Sequence, residues 1–242
     1  MSESINKYLA KTGFKTLDLK AVFFDMDGIL FNSMPRHAAA WTRVMHEHGV
    51  TTFKEEDAFI HEGRTGAAIV DIFFKDAKNM TDEEKQAVYK KKTEYFLESG
   101  LPDPVANVKD VLEFIKAQGL DIFVVTGSGT KTLFGRLDTY FPGIFDLNKM
   151  VTAFDVKHGK PDPEPYLKGL EKAGIEPWQG MVVENAPLGV RAAVAANIFT
   201  VAINTGPIPD SMLSDEGANL LYPTMSEFLT DWKNGELPIR QK

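Results

Sequence analysis

The chain has 242 residues, 43% hydrophobic and 25% charged, a balance that matches an ordinary globular protein with one core, or a core carrying a smaller insertion. Its net charge of -7 argues against nucleic acid or an anionic membrane as the dominant partner, and its lack of cysteine excludes a disulfide framework, a thiolate metal site and a thiol nucleophile. Residues 1–20 lack the apolar run of a signal peptide and no later segment is apolar enough to cross a bilayer, so the expectation is a cytoplasmic monomer.

In chain order, the first strong signal is Ala21-Val22-Phe23-Phe24, a β-favouring run without polar alternation, as a strand buried on both faces of a parallel sheet requires. It stops at Asp25. Residues 34–99 then break the strand pattern, because 37–48, 55–60, 66–76 and 81–97 read as successive helices. Turn formers flank that stretch, Ser33-Met34-Pro35 before it and Gly100-Leu101-Pro102-Asp103-Pro104 after it, as hinges between a core and a lid would. A helix over 108–117 leads to a strand at Ile122-Phe123-Val124-Val125, which ends on Thr126-Gly127-Ser128-Gly129. Helices are expected over 130–140, 164–173 and 187–196, and strands at 181–183, ending on Glu184-Asn185, and at 199–203, ending on Asn204. The alternation implies a doubly wound α/β parallel sheet, with a core of 1–33 and 100–242 and a small helical cap of 34–99. Polar residues gather at the carboxyl ends of the strands, where such sheets bind ligands.

Asp25 and Asp27, crowded at the end of a buried strand, need a cation or a shared proton to relieve their repulsion, and a hard oxygen-liganded ion such as Mg²⁺ supplies that relief; alone they also read as an acidic turn. Thr126, Gly127 and Ser128 offer a hydroxyl and backbone N–H groups suited to phosphate oxygens, or form a simple glycine-rich loop. Lys160, in Gly159-Lys160-Pro161-Asp162-Pro163, is held by a stiff backbone, although a solvated lysine is the default for such a segment. Glu184 and Asn185 are acceptable Mg²⁺ ligands or a helix cap.

Taken together, in this order and spacing, these segments resemble the haloacid dehalogenase superfamily of phosphohydrolases and phosphomutases, from about residue 20 to 204. The resemblance implies a Rossmann-like core, an aspartyl-phosphate intermediate on Asp25, and Asp27 as general acid and base. It implies Thr126 as the holder of the transferring phosphoryl group, Lys160 as its neutralising cation, and Mg²⁺ held by Asp25, the Asp27 carbonyl, Glu184 and Asn185. Asn185 departs from the family's more frequent Asp, which leaves the metal site one negative charge poorer. A non-catalytic phosphate-binding or phospho-receiver module could share the strand-end residues, but the second carboxylate and the lid speak for an enzyme.

The helical insertion resembles the small cap of the β-phosphoglucomutase-like subgroup, entered through Phe31-Asn32-Ser33 and His37. Within it, His61-Glu62-Gly63-Arg64-Thr65-Gly66 packs opposite charges around glycines, and Lys92 stands where the mutases carry a substrate-facing lysine; an exposed turn and a solvated lysine are the plain alternatives. Arg64 and Lys92 facing the site would favour a second anionic group on a small phosphorylated metabolite, while Glu62 would narrow the space. The Glu62 to Gly66 run resembles inorganic pyrophosphatases built on this scaffold in Bacteroides. Pyrophosphate is therefore the first expected substrate, and interconversion of β-glucose 1-phosphate and glucose 6-phosphate the second.

Overall fold

The structure, a computed structural model, describes residues 3–128 and 133–237. Helix α1 (Glu3–Thr12) precedes β1 (Ala21–Phe24), and four helices follow before the second strand: α2 (Met34–Glu47), α3 (Glu55–Ile60), α4 (Gly66–Phe73) and α5 (Asp82–Glu98). Then come α6 (Val108–Ala117), β2 (Asp121–Val125), α7 (Leu133–Tyr140), β3 (Met150–Val151), α8 (Glu164–Ala173), β4 (Gly180–Glu184), α9 (Pro187–Ala195) and β5 (Phe199–Ile203). The chain continues through α10 (Ser211–Ser214), β6 (Leu220–Tyr222) and α11 (Met225–Lys233). The six strands form one parallel sheet in the order β3-β2-β1-β4-β5-β6.

The apolar runs follow from the sheet's two covered faces, since successive side chains of a strand point opposite ways. Val22 and Phe24 join Ile122, Val124, Met181 and Val183 in a core that includes residues of α1, α6 and α11. Ala21 and Phe23 join Phe123, Val125 and Val182 in a second core with Tyr166 and Leu170 of α8 and Ala192 and Ala193 of α9. Helix α6 buries Val108, Val111, Leu112 and Ile115, the spacing that places one stripe on the sheet. Of the helix expected over 130–140, residues 130–132 lie outside the described residues, and the described part is α7.

Five elements go beyond the expected pattern: α1, β3, α10, β6 and α11. Helix α1 is anchored by Tyr8, whose hydroxyl donates to the Asn197 carbonyl at 2.9 Å while its ring meets Phe199 edge-on. Strands β3 and β6 are the sheet's two edges, and α11 buries Met225, Phe228, Leu229 and Trp232 on one side. The helix expected over 66–76 ends at Phe73, and Phe74 turns to extended backbone.

Helices α2 to α5 bury Trp41, Val44, Met45, Phe59 and Val88 in a third cluster. Val190, Ala202, Ile208 and Leu213 belong to the same cluster, so the helical layer rests on the rim of the sheet beyond β5. A cavity of about 380 Å³ lies between the layer and the carboxyl ends of β1, β2 and β4.

Candidate active site

Strand β1 is flanked by β2 on one side and β4 on the other, so the chain reverses its winding direction there and a crevice opens at the strand ends. Asp25 leaves β1 with its N–H bonded to the Val183 carbonyl at 3.0 Å, and Thr126 leaves β2 with its N–H bonded to that of Val151 at 2.9 Å. The turn after Asp27 is closed by Gly28, whose N–H meets the Phe31 carbonyl at 2.7 Å with a φ of 87°. A side chain at Gly28 would be forced into the Asn185 amide, so glycine serves both the turn and the close approach of the two loops.

Lys160 is buried, and its ammonium donates to Asp25 Oδ1, to Glu184 Oε1 at 2.6 Å and to the Val125 carbonyl at 3.2 Å. All three of its hydrogens are thereby used, which pins the cation against the Asp25 carboxylate. Burial alone would lower its pKa, but Asp25 and Glu184 carry it well above the ordinary lysine value. Both oxygens of Glu184 are engaged: Lys160 and Tyr166 donate to Oε1, and the Asn185 and Ala186 N–H groups donate to Oε2. Expected among the metal ligands, Glu184 in this arrangement stands behind Lys160 and fixes it.

Burial raises the Asp25 pKa to about 7, helped by the charges of Glu184 and Asp27 and opposed by Lys160. Asp27 is the opposite case: against the desolvation it suffers, the His37 ring, the Ser33 hydroxyl and Arg136 hold it well below the carboxylate range. Ser33 Oγ donates to Asp27 Oδ1 at 2.6 Å, and His37 Nε2 reaches the same oxygen at 3.3 Å. On the far side of the ring, Lys92 Nζ lies 2.6 Å from His37 Nδ1. An ammonium can only donate, so Nδ1 accepts and the ring proton sits on Nε2, aimed at Asp27. Desolvation and Lys92 depress the His37 pKa, in keeping with a neutral ring, which stacks on Phe96 with centroids 4.0 Å apart.

Of the residues expected at the site, Asp25, Asp27, His37, Glu62, Arg64, Lys92, Thr126, Gly127, Ser128, Lys160 and Glu184 all line the one cavity. Asn185 adjoins it, donating from Nδ2 to Glu62 Oε2 at 3.2 Å, a bond that ties the helical layer to the sheet. Desolvation and the charges of Asp25, Glu184 and Asp27 push the Glu62 pKa well above its ordinary value. His37 and Lys92, expected to meet substrate, engage Asp27 and each other. Thr126 Oγ1 accepts from the Ser128 N–H at 3.0 Å, which closes the loop after β2. Three residues to which the sequence assigned no site role also belong to the site: Ser33 through its bond to Asp27, Tyr166 through its bond to Glu184, and Arg136 in the cavity wall.

Two buried oxygens, Asp25 Oδ2 and Asn185 Oδ1, have no hydrogen-bond partner. An orphaned carboxylate oxygen and an orphaned amide oxygen, at the ends of the neighbouring strands β1 and β4, are the hard donors that suit a hard cation. Among the described residues no three His, Cys, Asp or Glu side chains converge as a ligand group, so such an ion would draw on the amide as well as on carboxylate. None of the described helices is long and apolar enough to cross a membrane.

Residues 22–203, the span that carries every one of these strand-end groups, match the pattern of the haloacid dehalogenase-like hydrolases. The chain belongs to this family. Among its relatives, hexitol phosphatase A of Escherichia coli is 32% identical, the match covering 91% of this chain and 99% of the relative. Validoxylamine A 7'-phosphate phosphatase of Streptomyces hygroscopicus is also 32% identical, over 77% of this chain and 86% of the relative. A solved structure from Bacteroides vulgatus, named as a candidate beta-phosphoglucomutase, is 48% identical and superposes with a TM-score of 0.92, covering 99% of this chain and 98% of that one. The chain is thus an enzyme of the hydrolase and phosphatase type, similar to proteins named as sugar phosphatases and phosphoglucomutases.

Proposed function

We propose that this enzyme is a Mg²⁺-dependent phosphohydrolase that passes a phosphoryl group to Asp25 and then to water, with inorganic pyrophosphate as its substrate. The observation that carries the reading is the Asp25 carboxylate, one oxygen held by a fully engaged Lys160 and the other buried without a protein partner. Asp25 Oδ2 and Asn185 Oδ1 would hold Mg²⁺, which when bound offsets charge on the transferring phosphoryl oxygens. A carboxylate oxygen of Asp25 forms the new O–P bond as the bond to the leaving oxygen breaks, and Asp27 gives that oxygen its proton. Asp27 then takes a proton from water, whose oxygen attacks phosphorus and releases Asp25. In the arrangement with Ser33 and His37 donating to it, Asp27 is ionised, the form needed for the second half. The negative charge of an arriving substrate works in the other direction and favours the protonated form for the first.

The helical layer, residues 34–99, acts in this reading as a cap that excludes water. Glu62 reaching from it to Asn185 takes space directly over the nucleophile, which favours a compact leaving group. The apolar part of the cavity wall, with Trp41, Ile69, Tyr89 and Phe96, supports a second reading, a sugar phosphate, in line with the names of the relatives. Mg²⁺-dependent phosphate release from para-nitrophenyl phosphate tests the chemistry, and none from it or a broad phosphate panel would overturn it. Comparison of pyrophosphate with β-glucose 1-phosphate decides the substrate, and a higher kcat/KM for the sugar would put the sugar phosphate first.

A further inference from the structure

Helix α7 carries a cation into the cavity that the proposed reaction leaves unused. The Arg136 guanidinium carbon lies 4.6 Å from the centroid of the Phe31 ring, and its Nη2 donates to Met26 Sδ at 3.3 Å. Met26 and Phe31 bracket the Asp27 turn, so the guanidinium is held on the proton carrier's side of the cavity. An aromatic face and a thioether are weak partners for such a group. Its Nε is buried and has no hydrogen-bond partner at all.

A guanidinium so poorly supplied with acceptors is costly to desolvate until an anion arrives. Its planar fork matches two oxygens of a phosphate or carboxylate, and the flat Phe31 ring orients the fork in advance. The place fixes which part of a substrate it meets. Lys160 holds Asp25, where the transferring phosphoryl group goes, whereas Arg136 lines the cavity with Asp27, His37 and Lys92, where the leaving oxygen collects its proton.

We propose that Arg136 binds the anionic leaving portion of the substrate, the second phosphate of pyrophosphate or a phosphate borne by a larger leaving group. The assignment rests on the phosphohydrolase reading and makes Arg136 a specificity-determining residue. It selects substrates whose leaving group is charged over those whose leaving group is neutral.

The test compares kcat/KM of the full-length protein with Mg²⁺ on three probes: pyrophosphate and glucose 1,6-bisphosphate, with anionic leaving groups, and phenyl phosphate, whose leaving group departs as neutral phenol. Arg136→Ala should lower kcat/KM on the better anionic probe by about 30- to 100-fold, the worth of a charge-assisted contact, and on phenyl phosphate, where only its charge near Asp27 is lost, by a factor at least about 5 times smaller. Added guanidinium chloride should restore part of the loss on the anionic probe alone, and Arg136→Lys should fall in between. Arg136→Met, which keeps the stem over Phe31, gives the same selective loss if the alanine variant does not fold. An equal loss on all probes would overturn the assignment and place Arg136 as a support for Asp27. A wild type that hydrolyses phenyl phosphate but neither anionic probe overturns it too, whereas release from none of the three overturns the phosphohydrolase reading itself.

Discussion

Asp25 and Asp27 are two residues apart at one strand end, yet their surroundings drive their pKa values in opposite directions. Asp25 rises to about 7 through burial, while His37 and Ser33 hold Asp27 low. Such a split is how two like groups acquire different work. Asp25→Asn removes the nucleophile and should cut turnover by more than ~10³-fold with the fold intact, checked by phosphate release and circular dichroism. Asp27→Asn should behave differently with para-nitrophenyl phosphate, whose leaving group needs no proton: the enzyme should become phosphorylated and stay so, one phosphoryl group heavier by mass spectrometry. Lys92 adds a pH dependence, since burial brings its pKa down to about 8 against the pull of Asp27 and Glu62. Below that pH its ammonium donates to His37, and above it the charge is lost. The kcat/KM profile for para-nitrophenyl phosphate should therefore fall on an alkaline limb near pH 8, and Lys92→Met should lower the plateau and abolish that limb. A limb unchanged in the variant would assign it to another group.

At the scale of elements, helices α2 to α5 are held by close approaches as much as by burial. Gly66 opens α4 flush against the Tyr89 ring of α5, with Cβ and ring atoms too near for any added carbon. Gly66→Ala would push α4 off α5 and should cost about 1–3 kcal/mol in urea unfolding, more than a surface Gly→Ala change could explain. The elements legible in the sequence are those whose environment is uniform along their length. Strands β1, β2, β4 and β5 read as unbroken apolar runs because the sheet covers both their faces. Strand β3 has only two residues and β6 only three, so no period exists to read, and pairing with β2 and β5 alone defines them. The strand-end groups Asp25, Thr126, Glu184 and Asn185 were legible for the same reason, since each follows an apolar run, and Lys160 because it lies within the stiff segment Gly159-Lys160-Pro161. Arg136 and Tyr166 carry no such marker. They sit within helices, and only tertiary packing brings Arg136 of α7 to Met26 and Phe31 and Tyr166 of α8 to Glu184. Nor does sequence fix a carboxylate's orientation, and the bonds of Glu184 to Lys160, Tyr166 and two backbone N–H groups are visible only in the fold.

On the scale of the whole molecule, folding gathers Asp25, Asp27, Glu62 and Glu184 around two buried lysines, Lys160 and Lys92, and this has a thermodynamic signature. The Glu62 pKa is raised above its value in an unfolded chain, chiefly by desolvation, so the folded state keeps a proton that the unfolded state gives up. Its contribution is full below the ordinary carboxylate range and is lost as pH rises toward the folded value. Asp25 acts in the same sense up to about pH 7, while neutral His37 acts oppositely below the ordinary histidine value, so the pH slope of the wild type alone is mixed. The difference between wild type and Glu62→Gln isolates Glu62. Without metal, the two should melt alike near pH 5, and the variant should melt higher at pH 8, where it escapes the cost of a desolvated negative charge. Mg²⁺ should reverse the order, because a cation replaces the missing proton: at a hundred times its Kd it stabilises by about 2.7 kcal/mol, or roughly 5–10 °C for a chain of this size. That rise should be larger in the wild type than in Glu62→Gln, and larger at pH 8 than at pH 5. Melting curves that run parallel at every pH, with and without Mg²⁺, would show that Glu62 stays outside the carboxylate cluster in solution, and the bond from Asn185 would then not hold the helical layer to the sheet.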